Sequence, residues 1–562
     1  MKTYKTLLLA ACLGMTMNSC LDFDPKDKLA DGNLWSDADN FKYFANNFYG
    51  WTRDFSTALY DAPHSDVRSD LAVGTTINEY SHGNNQLTTS DGNYTGNYAH
   101  IRRVNLLLQN AASYTGSTSI NTYIGEAYFF RAYCFFDLVQ LYGDVIWLDH
   151  PVDINSPEMN AERDDRGVVI DHIIEDLKLA TEYLPDSPRE DGCLCKMAAQ
   201  AFLSRVALYE GTWQKSRNGN ENNDRSKSLL GIAATAAKAV IDSKQYELFA
   251  PASLGTDAYR YLFILEDVQC CPDKSISKLS NKEYIFVRQH EEVLSPIGKN
   301  VTHTYANNEA LTLSRKLANM YLCSDGLPIE ISEQFKGYDK WDSEFSNRDN
   351  RMNAVILKPN QQYYKASRNW NDSDVPVTCS SDRGTGYQSR KWAAERVVAT
   401  TKEGYDYPII RYAEVLLNYA EAVFERDDQI SDADLDLSLN PVRLRVNPDM
   451  PKLSNSLIKA HATMDMRTEI RRERTVELVH EAFRVDDLKR WKTAEVEMPQ
   501  DVLGIKRIGT EWETKWITSK ATNEEGCLIH EDGRSWTTKN YLLPLPADQV
   551  QLNPNIGQNP GW

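Results

Sequence analysis

The sequence predicts a mainly α-helical fold in which paired helices stack as in tetratricopeptide arrays and form a scaffold for an irregular, loop-rich lobe. Apolar residues recur at helical spacing through the first half of the chain, and small residues alternate there with aromatic ones. From residue 246 to residue 405 this periodicity weakens, and Asn, Asp, Ser, Gly and Tyr become frequent. Because this middle region is too aromatic for a disordered segment, we expect ordered loops in it.

Helices are expected in the following order along the chain. The first half holds five, over residues 97–112, 125–142, 166–184, 195–209 and 226–243. The second of these is apolar on nearly all sides, which is typical of a helix buried among others. The fourth is rich in alanine, which lets neighbouring helices approach closely. Later helices are expected near 312–321 and over 412–426 and 468–492, and the proline-rich tail from Trp536 is expected to be extended.

The first twenty residues have the pattern of a secretory leader. Lys2 and Lys5 precede an apolar run over residues 7–17 that is too short to span a bilayer. Ser19 and Cys20 follow, and a small residue before a cysteine at this place resembles a bacterial lipoprotein box. We therefore expect a signal peptide over residues 1–19 and a lipid on Cys20; a plain secretory signal with an incidental cysteine is the alternative. No later stretch approaches about 18 consecutive apolar residues, so we expect an anchored rather than a spanning protein.

The charge balance excludes some classes of ligand. The 562 residues carry a formal net charge of −18, with a sequence pI of about 5.1. Nucleic acids and anionic membrane surfaces need a positive patch on the protein, so neither is expected as a ligand. The negative net charge is compatible with a neutral or cationic ligand, but it does not distinguish a sugar ligand from a peptide ligand.

Conventional catalytic and metal-binding motifs are absent from the sequence. It contains no GxSxG elbow, no GxGxxG after a strand and no phosphate-binding loop. His480 and Glu481 lack the second His of a zinc-protease helix, and the Asn- and Asp-rich run at 220–224 lacks the spacing of a calcium loop. No cofactor is expected, and the metal content and disulfide pairing stay open. A pair of glycosidase carboxylates also stays open, because such a pair is defined by separation in space.

Five segments together resemble the SusD/RagB family, the nutrient-binding lipoproteins of the Bacteroidetes outer membrane. The first has Tyr-Phe-Phe-Arg-Ala-Tyr at 128–133 and Leu-Tyr-Gly-Asp-Val at 141–145. The others are residues 411–422, residues 473–491 with Asp-Leu-Lys-Arg-Trp at 487–491, Tyr-Leu-Leu-Pro-Leu-Pro at 541–546, and residues 553–562. Their order and spacing fit the family over essentially the whole chain, with the lipoprotein box in front.

The resemblance implies a function without catalysis. A family member is a surface-exposed, lipid-anchored protein of the outer membrane that captures oligosaccharide or polysaccharide. It delivers this cargo to a SusC-like TonB-dependent transporter. A peptide-binding relative and, less favoured, an extracellular glycosidase are the alternatives. We expect a helical scaffold over residues 20–245, a ligand lobe over 246–405, and C-terminal helices with a tail over 406–562.

Many charged residues of the matching segments are of the types found in enzyme active sites. We interpret them as structural, because opposite charges three or four residues apart on a helix pair and a buried Arg needs a carboxylate partner. The residues concerned are Arg411, Glu414, Arg474, Glu477, Arg484, Asp487 and Arg490.

Ligand contacts are expected in two loop stretches, since a sugar needs a flat aromatic surface together with directed hydrogen bonds. The first stretch runs from residue 64 to residue 94, and the second lies around residues 363–370. The predicted ligand-binding residues are Arg68, Asp70, Tyr80, Asn84, Tyr94, Arg368 and Trp370.

Overall fold

The computed structural model describes residues 34–267, 270–302, 311–340, 342–358, 384–396, 399 and 401–562. Its α-helices are α1 Ala38–Asn46, α2 Phe55–Leu59, α3 Glu79–His82, α4 Gly92–Ala111, α5 Asn121–Tyr142, α6 Arg166–Tyr183, α7 Lys196–Arg217, α8 Asp224–Ser243, α9 Ala258–Leu262, α10 Arg315–Met320, α11 Asn350–Val355, α12 Tyr412–Asp427, α13 Asp432–Leu437, α14 Leu439–Leu444, α15 Asn455–Ala460, α16 Met466–Leu478, α17 Arg484–Trp491, α18 Ala494–Glu497, α19 Trp512–Lys515 and α20 Ala547–Leu552.

Short strands and 3₁₀ turns complete the fold. The strands are β1 Ala72–Gly74, β2 Tyr284–Arg288, β3 Leu311–Leu313, β4 Tyr387–Gln388, β5 Tyr407–Arg411, β6 Val502–Lys506 and β7 Cys527–Glu531. The 3₁₀ turns are Asn47–Trp51, Asp66–Arg68, Pro157–Asn160, Gly255–Asp257, Lys278–Ser280, Ser343–Phe345, Thr538–Tyr541 and Pro554–Ile556.

The long helices stack in sequence order. α4 packs on α5, α5 on α6, α6 on α7 and α7 on α8, and α12 then covers α8. This succession of neighbouring antiparallel helices is the predicted tetratricopeptide-like scaffold, and the mainly α fold is confirmed. The all-round apolar helix α5 is buried along most of its length, as its composition predicts.

Several helix boundaries differ from the sequence prediction, and two of the differences have a clear local cause. α4 begins five residues earlier than expected, because the Asp91 carboxylate accepts a hydrogen bond from the Asn93 amide and caps the helix there. The single helix expected over 468–492 is wrong, since the chain forms α16 and α17 instead. Between them His480 and Ala482 have φ of 62° and 64°, which are left-handed values that a continuous helix does not allow.

Short antiparallel sheets join the irregular middle of the chain to the segments before and after it. β3 lies between β1 and β4, so the N-terminal stretch around Ala72 pairs with Leu313. β2 pairs with β5, which leads directly into α12. The tail from Trp536 is less extended than expected, because it contains α20 and two 3₁₀ turns.

The predicted structural ion pairs are confirmed. Each of the seven charged residues pairs with a buried partner: Arg411 with Glu283, Glu477 and Glu481; Glu414 with Arg205; Arg474 and Arg490 with Asp487; Arg484 with Asp70; and Arg490 also with Glu421. These side chains therefore hold the helices to one another and to neighbouring loops and strands.

Glu477 is the centre of this network. Its Oε1 accepts hydrogen bonds from Arg411 Nη1 at 2.6 Å and from Arg445 Nη2 at 2.9 Å, and its Oε2 accepts one from Arg351 Nη1 at 3.0 Å. Burial acts to raise the pKa of Glu477, but the three guanidinium groups hold that pKa well below its ordinary value. The stability that this carboxylate contributes is thus present at neutral pH and is lost as the pH falls through its lowered pKa.

Replacing Glu477 by Gln should lower the free energy of unfolding by about 3–5 kcal/mol at pH 7, because three buried guanidinium groups lose their shared counter-charge. Equilibrium denaturation in urea measures this change. The matched control is Glu175→Gln on α6, where an exposed carboxylate lies 3.6 Å from Lys178 and contributes little. Equal stability of the two variants would contradict a central role for Glu477.

Candidate functional site

A cleft of about 620 Å³ opens between the segment that joins α2 to α4 and the C-terminal tail. This is the first cleft. Its walls are formed by residues 59–61 and 63, residues 67–68, residues 74–80, residues 85–86 and 88, residues 90–93, and Leu543 with Pro544. The first of the two predicted ligand stretches therefore supplies most of this surface.

Within the stretch 66–70, two aspartates are buried and the arginine between them lines the first cleft. Asp66 is buried, and its Oδ2 accepts a hydrogen bond from the His480 amide at 2.6 Å. Asp70 is also buried, and both of its carboxylate oxygens accept hydrogen bonds from Arg484. Arg68 lies between these two anchored carboxylates, and its side chain faces the first cleft.

Arg68 is held in place by two neighbours. Its Nε donates to Asp61 Oδ1 at 2.5 Å, and its guanidinium carbon lies 5.2 Å from the centroid of the Tyr80 ring. Although burial acts to raise the pKa of Asp61, hydrogen bonds from Arg68 and Asn78 hold it below its ordinary value. The pair therefore presents a fixed cation and a fixed anion at the wall of the first cleft.

Tyr80 forms the floor beneath this ion pair. The residue is buried, its hydroxyl donates to the Asn540 carbonyl at 3.3 Å, and its ring meets Trp536 edge-on at 5.7 Å. Asn540 also donates from Nδ2 to Asn85 Oδ1 at 3.0 Å, on the opposite wall. The tail of the chain thus fixes both sides of the first cleft.

The rim of the first cleft carries exposed apolar and amide groups. Tyr60 is 36% exposed, and Lys299 Nζ lies 5.8 Å from the centroid of its ring. Ile77 is 60% exposed, and Gln86 is exposed beside it. An open ring next to amide and carboxylate groups can stack on a flat ligand and form hydrogen bonds to its edge.

The structure places the predicted ligand residues in several different environments. Arg68 and Tyr80 line the first cleft, and exposed Asn84 is next to it, before Asn85. Asp70 is instead enclosed in its ion pairs with Arg484 and Lys316. Their roles in ligand binding stay predictions.

Tyr94 lies away from the first cleft. It is buried against Tyr98 and Tyr142, with ring centroids 5.0 and 5.1 Å apart, and borders an apolar groove. Burial raises its pKa. Arg368, Trp370 and Cys20 fall outside the described residues.

Sequence reasoning missed Tyr60, Asp61, Ile77 and Gln86, which belong to the same cleft. A tyrosine four residues before His64 was the available signal, since the predicted stretch begins just after it. Within the described ranges, no group of three or more His, Cys, Asp or Glu side chains is arranged to hold a metal ion. Nor does any helix in those ranges have the length and apolar character needed to cross a bilayer.

The chain resembles proteins of one family along its length. Residues 279–562 match the model of the SusD family, and residues 27–208 match a family model described as starch-binding and associating with the outer membrane. The SusD-like protein P2 of Formosa agariphila is 23% identical over 585 residues, which cover 100% of both chains.

Solved structures share the fold. A SusD-like protein from Bacteroides fragilis has a TM-score of 0.72 at 24% identity, covering 96% of this chain and all of its own. The surface glycan-binding protein A from Bacteroides fluxus has a TM-score of 0.62 at 19% identity, covering 94% of this chain and all of its own.

Asp66 leads to a prediction of pH dependence. Burial raises its pKa to about 7, despite the hydrogen bond from the His480 amide. This pKa lies above that of an unfolded Asp, so protonated Asp66 contributes to the free energy of unfolding. That contribution is complete below about pH 4 and is lost as the pH rises through 7. Replacing Asp66 by Asn removes this titration. The stability of the variant relative to the wild type should therefore increase by at least about 2 kcal/mol between pH 4 and pH 8.

Urea denaturation across this pH range measures the difference. The matched control is Asp171→Asn on α6, where the carboxylate is exposed. Parallel pH curves for the wild type and Asp66→Asn would show that the pKa of Asp66 does not rise on folding, and would contradict this prediction.

Proposed function

The chain belongs to the SusD family, and from this premise we propose that it is a glycan-binding protein of the outer membrane. It binds oligosaccharide or polysaccharide in the first cleft. The observation that carries this proposal is a cleft wall in which the fixed Arg68–Asp61 pair lies beside the partly exposed Tyr60 ring. The family model matched by residues 27–208, with its starch-binding description, and the glycan-binding structural neighbour support the same ligand class.

The chemistry of the first cleft suits a sugar. A pyranose ring has an apolar C–H face, which can stack on Tyr60 or contact Ile77. Its hydroxyls can donate to Asp61 and accept from Arg68, and the Gln86 amide can do both. Since the cleft is open and the ring is only partly exposed, we expect weak binding of each sugar unit, strengthened by the repeating polymer.

Delivery to a SusC-like TonB-dependent transporter belongs to the same proposal. The support comes from family membership and from the description of the N-terminal family model as associating with the outer membrane. Lipidation at Cys20 would hold the protein on the cell surface, and several acyl chains give durable anchoring.

We propose that the protein binds its glycan without cleaving it. Glycoside hydrolysis needs one carboxyl group that stays protonated to act as a general acid. In the first cleft the pKa of Asp61 is held low by Arg68 and Asn78, so this group is ionised at neutral pH and is a poor proton donor. Release of reducing sugar from any bound polysaccharide would overturn this part of the proposal.

Replacing Tyr60 by Ala should weaken polysaccharide binding about two- to tenfold, through loss of one stacking surface. Replacing Arg68 by Ala should also weaken binding, because the cation that fixes Asp61 is removed. Affinity electrophoresis or calorimetry on a panel of polysaccharides and peptides measures the change and identifies the ligand class. The matched control is Tyr43→Ala, which removes another exposed tyrosine that does not line the first cleft.

Unchanged affinity in both cleft variants would contradict this placement of the site. The Trp370→Ala variant tests the second predicted stretch in the same assay. Binding of peptides but of no glycan would favour the peptide-binding alternative.

A further inference from the structure

A second cleft, of about 840 Å³, lies between the scaffold and the middle of the chain. Its walls include the loop that joins α6 to α7, the segment that follows α8, the 3₁₀ turn Lys278–Ser280, and β2 with the residues after it. We propose that this second cleft binds an uncharged segment of the same polysaccharide that occupies the first cleft. The inference rests on the proposed glycan-binding function and adds a second site to it.

The two walls of the second cleft meet closely at one point. Gly192 has a φ of +80°, and a Cβ atom built on it would lie only 2.6 Å from Cδ of Gln289. A residue with a side chain would therefore be strained there and would displace the Gln289 amide. Glycine at this position lets the scaffold loop lie against Gln289, the residue that follows β2.

The lining has the groups that a sugar requires. Exposed Gln245 and Gln289 offer amides that both donate and accept hydrogen bonds, and Leu279 is an apolar surface that is 88% exposed. Half-buried Tyr246 and Tyr284 supply aromatic surface. The Tyr246 hydroxyl contacts Cys195 Sγ at 3.4 Å, and the Tyr284 hydroxyl donates to the Leu262 carbonyl at 3.0 Å.

Both tyrosine rings are thus oriented before any ligand arrives, which lowers the entropic cost of binding. The second cleft is also larger than the first, and its volume lies within the range of ligand pockets.

The charge of the second cleft selects among glycans. Its described lining holds five carboxylates, from Asp186, Asp191, Asp267, Glu291 and Asp406, against the single ammonium group of Lys278. Lys278 Nζ already donates to Asp406 Oδ1 at 2.8 Å, so its charge is balanced within the protein. A uronate or sulfated sugar would meet net repulsion there, whereas hydroxyl groups can donate to the carboxylates.

One segment of the chain connects the two clefts. Gln289 and Glu291 line the second cleft, and Lys299 lies over the Tyr60 ring of the first. Glu291 and Ser295 form an antiparallel bridge between these points, which shortens the path. Chain geometry then places Gln289 and Lys299 within about 26 Å of each other. A single polysaccharide chain can span such a distance, and simultaneous contact with both clefts would raise its apparent affinity.

Replacing both Gln245 and Gln289 by Ala tests the second cleft. Affinity for a neutral polysaccharide such as starch or galactomannan should fall about tenfold, the loss expected for two hydrogen bonds. The matched control is Gln334→Ala, an exposed glutamine that lines neither cleft. Unchanged polymer affinity in the double variant, with weaker binding by Tyr60→Ala, would overturn this inference and leave the proposed function intact.

Cys193 provides a readout that needs no substitution. It is the half-buried free thiol on the wall of the second cleft, whereas the other free cysteines in the described part of the chain are buried. Burial raises the pKa of Cys193, so alkylation by iodoacetamide is carried out at alkaline pH and followed by mass spectrometry of the Cys193 peptide. A neutral polysaccharide that binds the protein should slow this alkylation several-fold.

The alkylation of Cys193 also shows which part of the inference fails, if one does. Polygalacturonate should give no protection of Cys193, and equal protection by this polyanion would overturn the selection for uncharged sugar. If neutral polysaccharide binds but leaves the alkylation rate unchanged, the second cleft is not a glycan site. If no polysaccharide binds the full chain at all, the proposed function fails, and this inference fails with it.

Discussion

The structure depends on a buried network of arginine and glutamate side chains centred on Glu477. Arg351, Arg411 and Arg445 converge on this one carboxylate from α11, from β5 and from the end of α14. Removing such groups from water is costly, and the cost is offset only when every partner is in place. The network therefore admits one arrangement of these elements and fixes the short irregular middle against the long helices. In the sequence, the residues of this network are of the types found in active sites, but in the structure they are buried and paired with one another.

The first cleft depends on the same C-terminal helices. Asp66 and Asp70 are anchored by the His480 amide and by Arg484, and Arg68 is thereby left facing outward. The left-handed turn between α16 and α17 supplies the first of these anchors, so the break in the helix positions the candidate site. A loop fixed at two points can present a cation and a stacking surface without first becoming ordered.

Two shallow clefts joined by one segment suit a polymeric ligand better than a small one. Each offers partly exposed tyrosine and directed polar groups, and neither encloses its ligand. In the proposed function, repeating sugar units would occupy both at once, so that weak local contacts would add to a useful total affinity. The excess of carboxylates is in line with the net charge of −18 and is the reason that we propose uncharged glycans rather than polyanions.

The sequence alone determined the helical scaffold and the family resemblance, because helical periodicity and motif spacing can be read along the chain. It also indicated a structural role for the charged residues, but most of their partners lie far away in sequence, as Glu283 does for Arg411. It also located the stretch that forms most of the first cleft. Only the tertiary structure decided which residues of that stretch face outward: Arg68 does, while Asp70 and Tyr94 are buried. The direction of a side chain in a loop depends on partners distant in sequence, such as Arg484 for Asp70, and no local pattern encodes those partners.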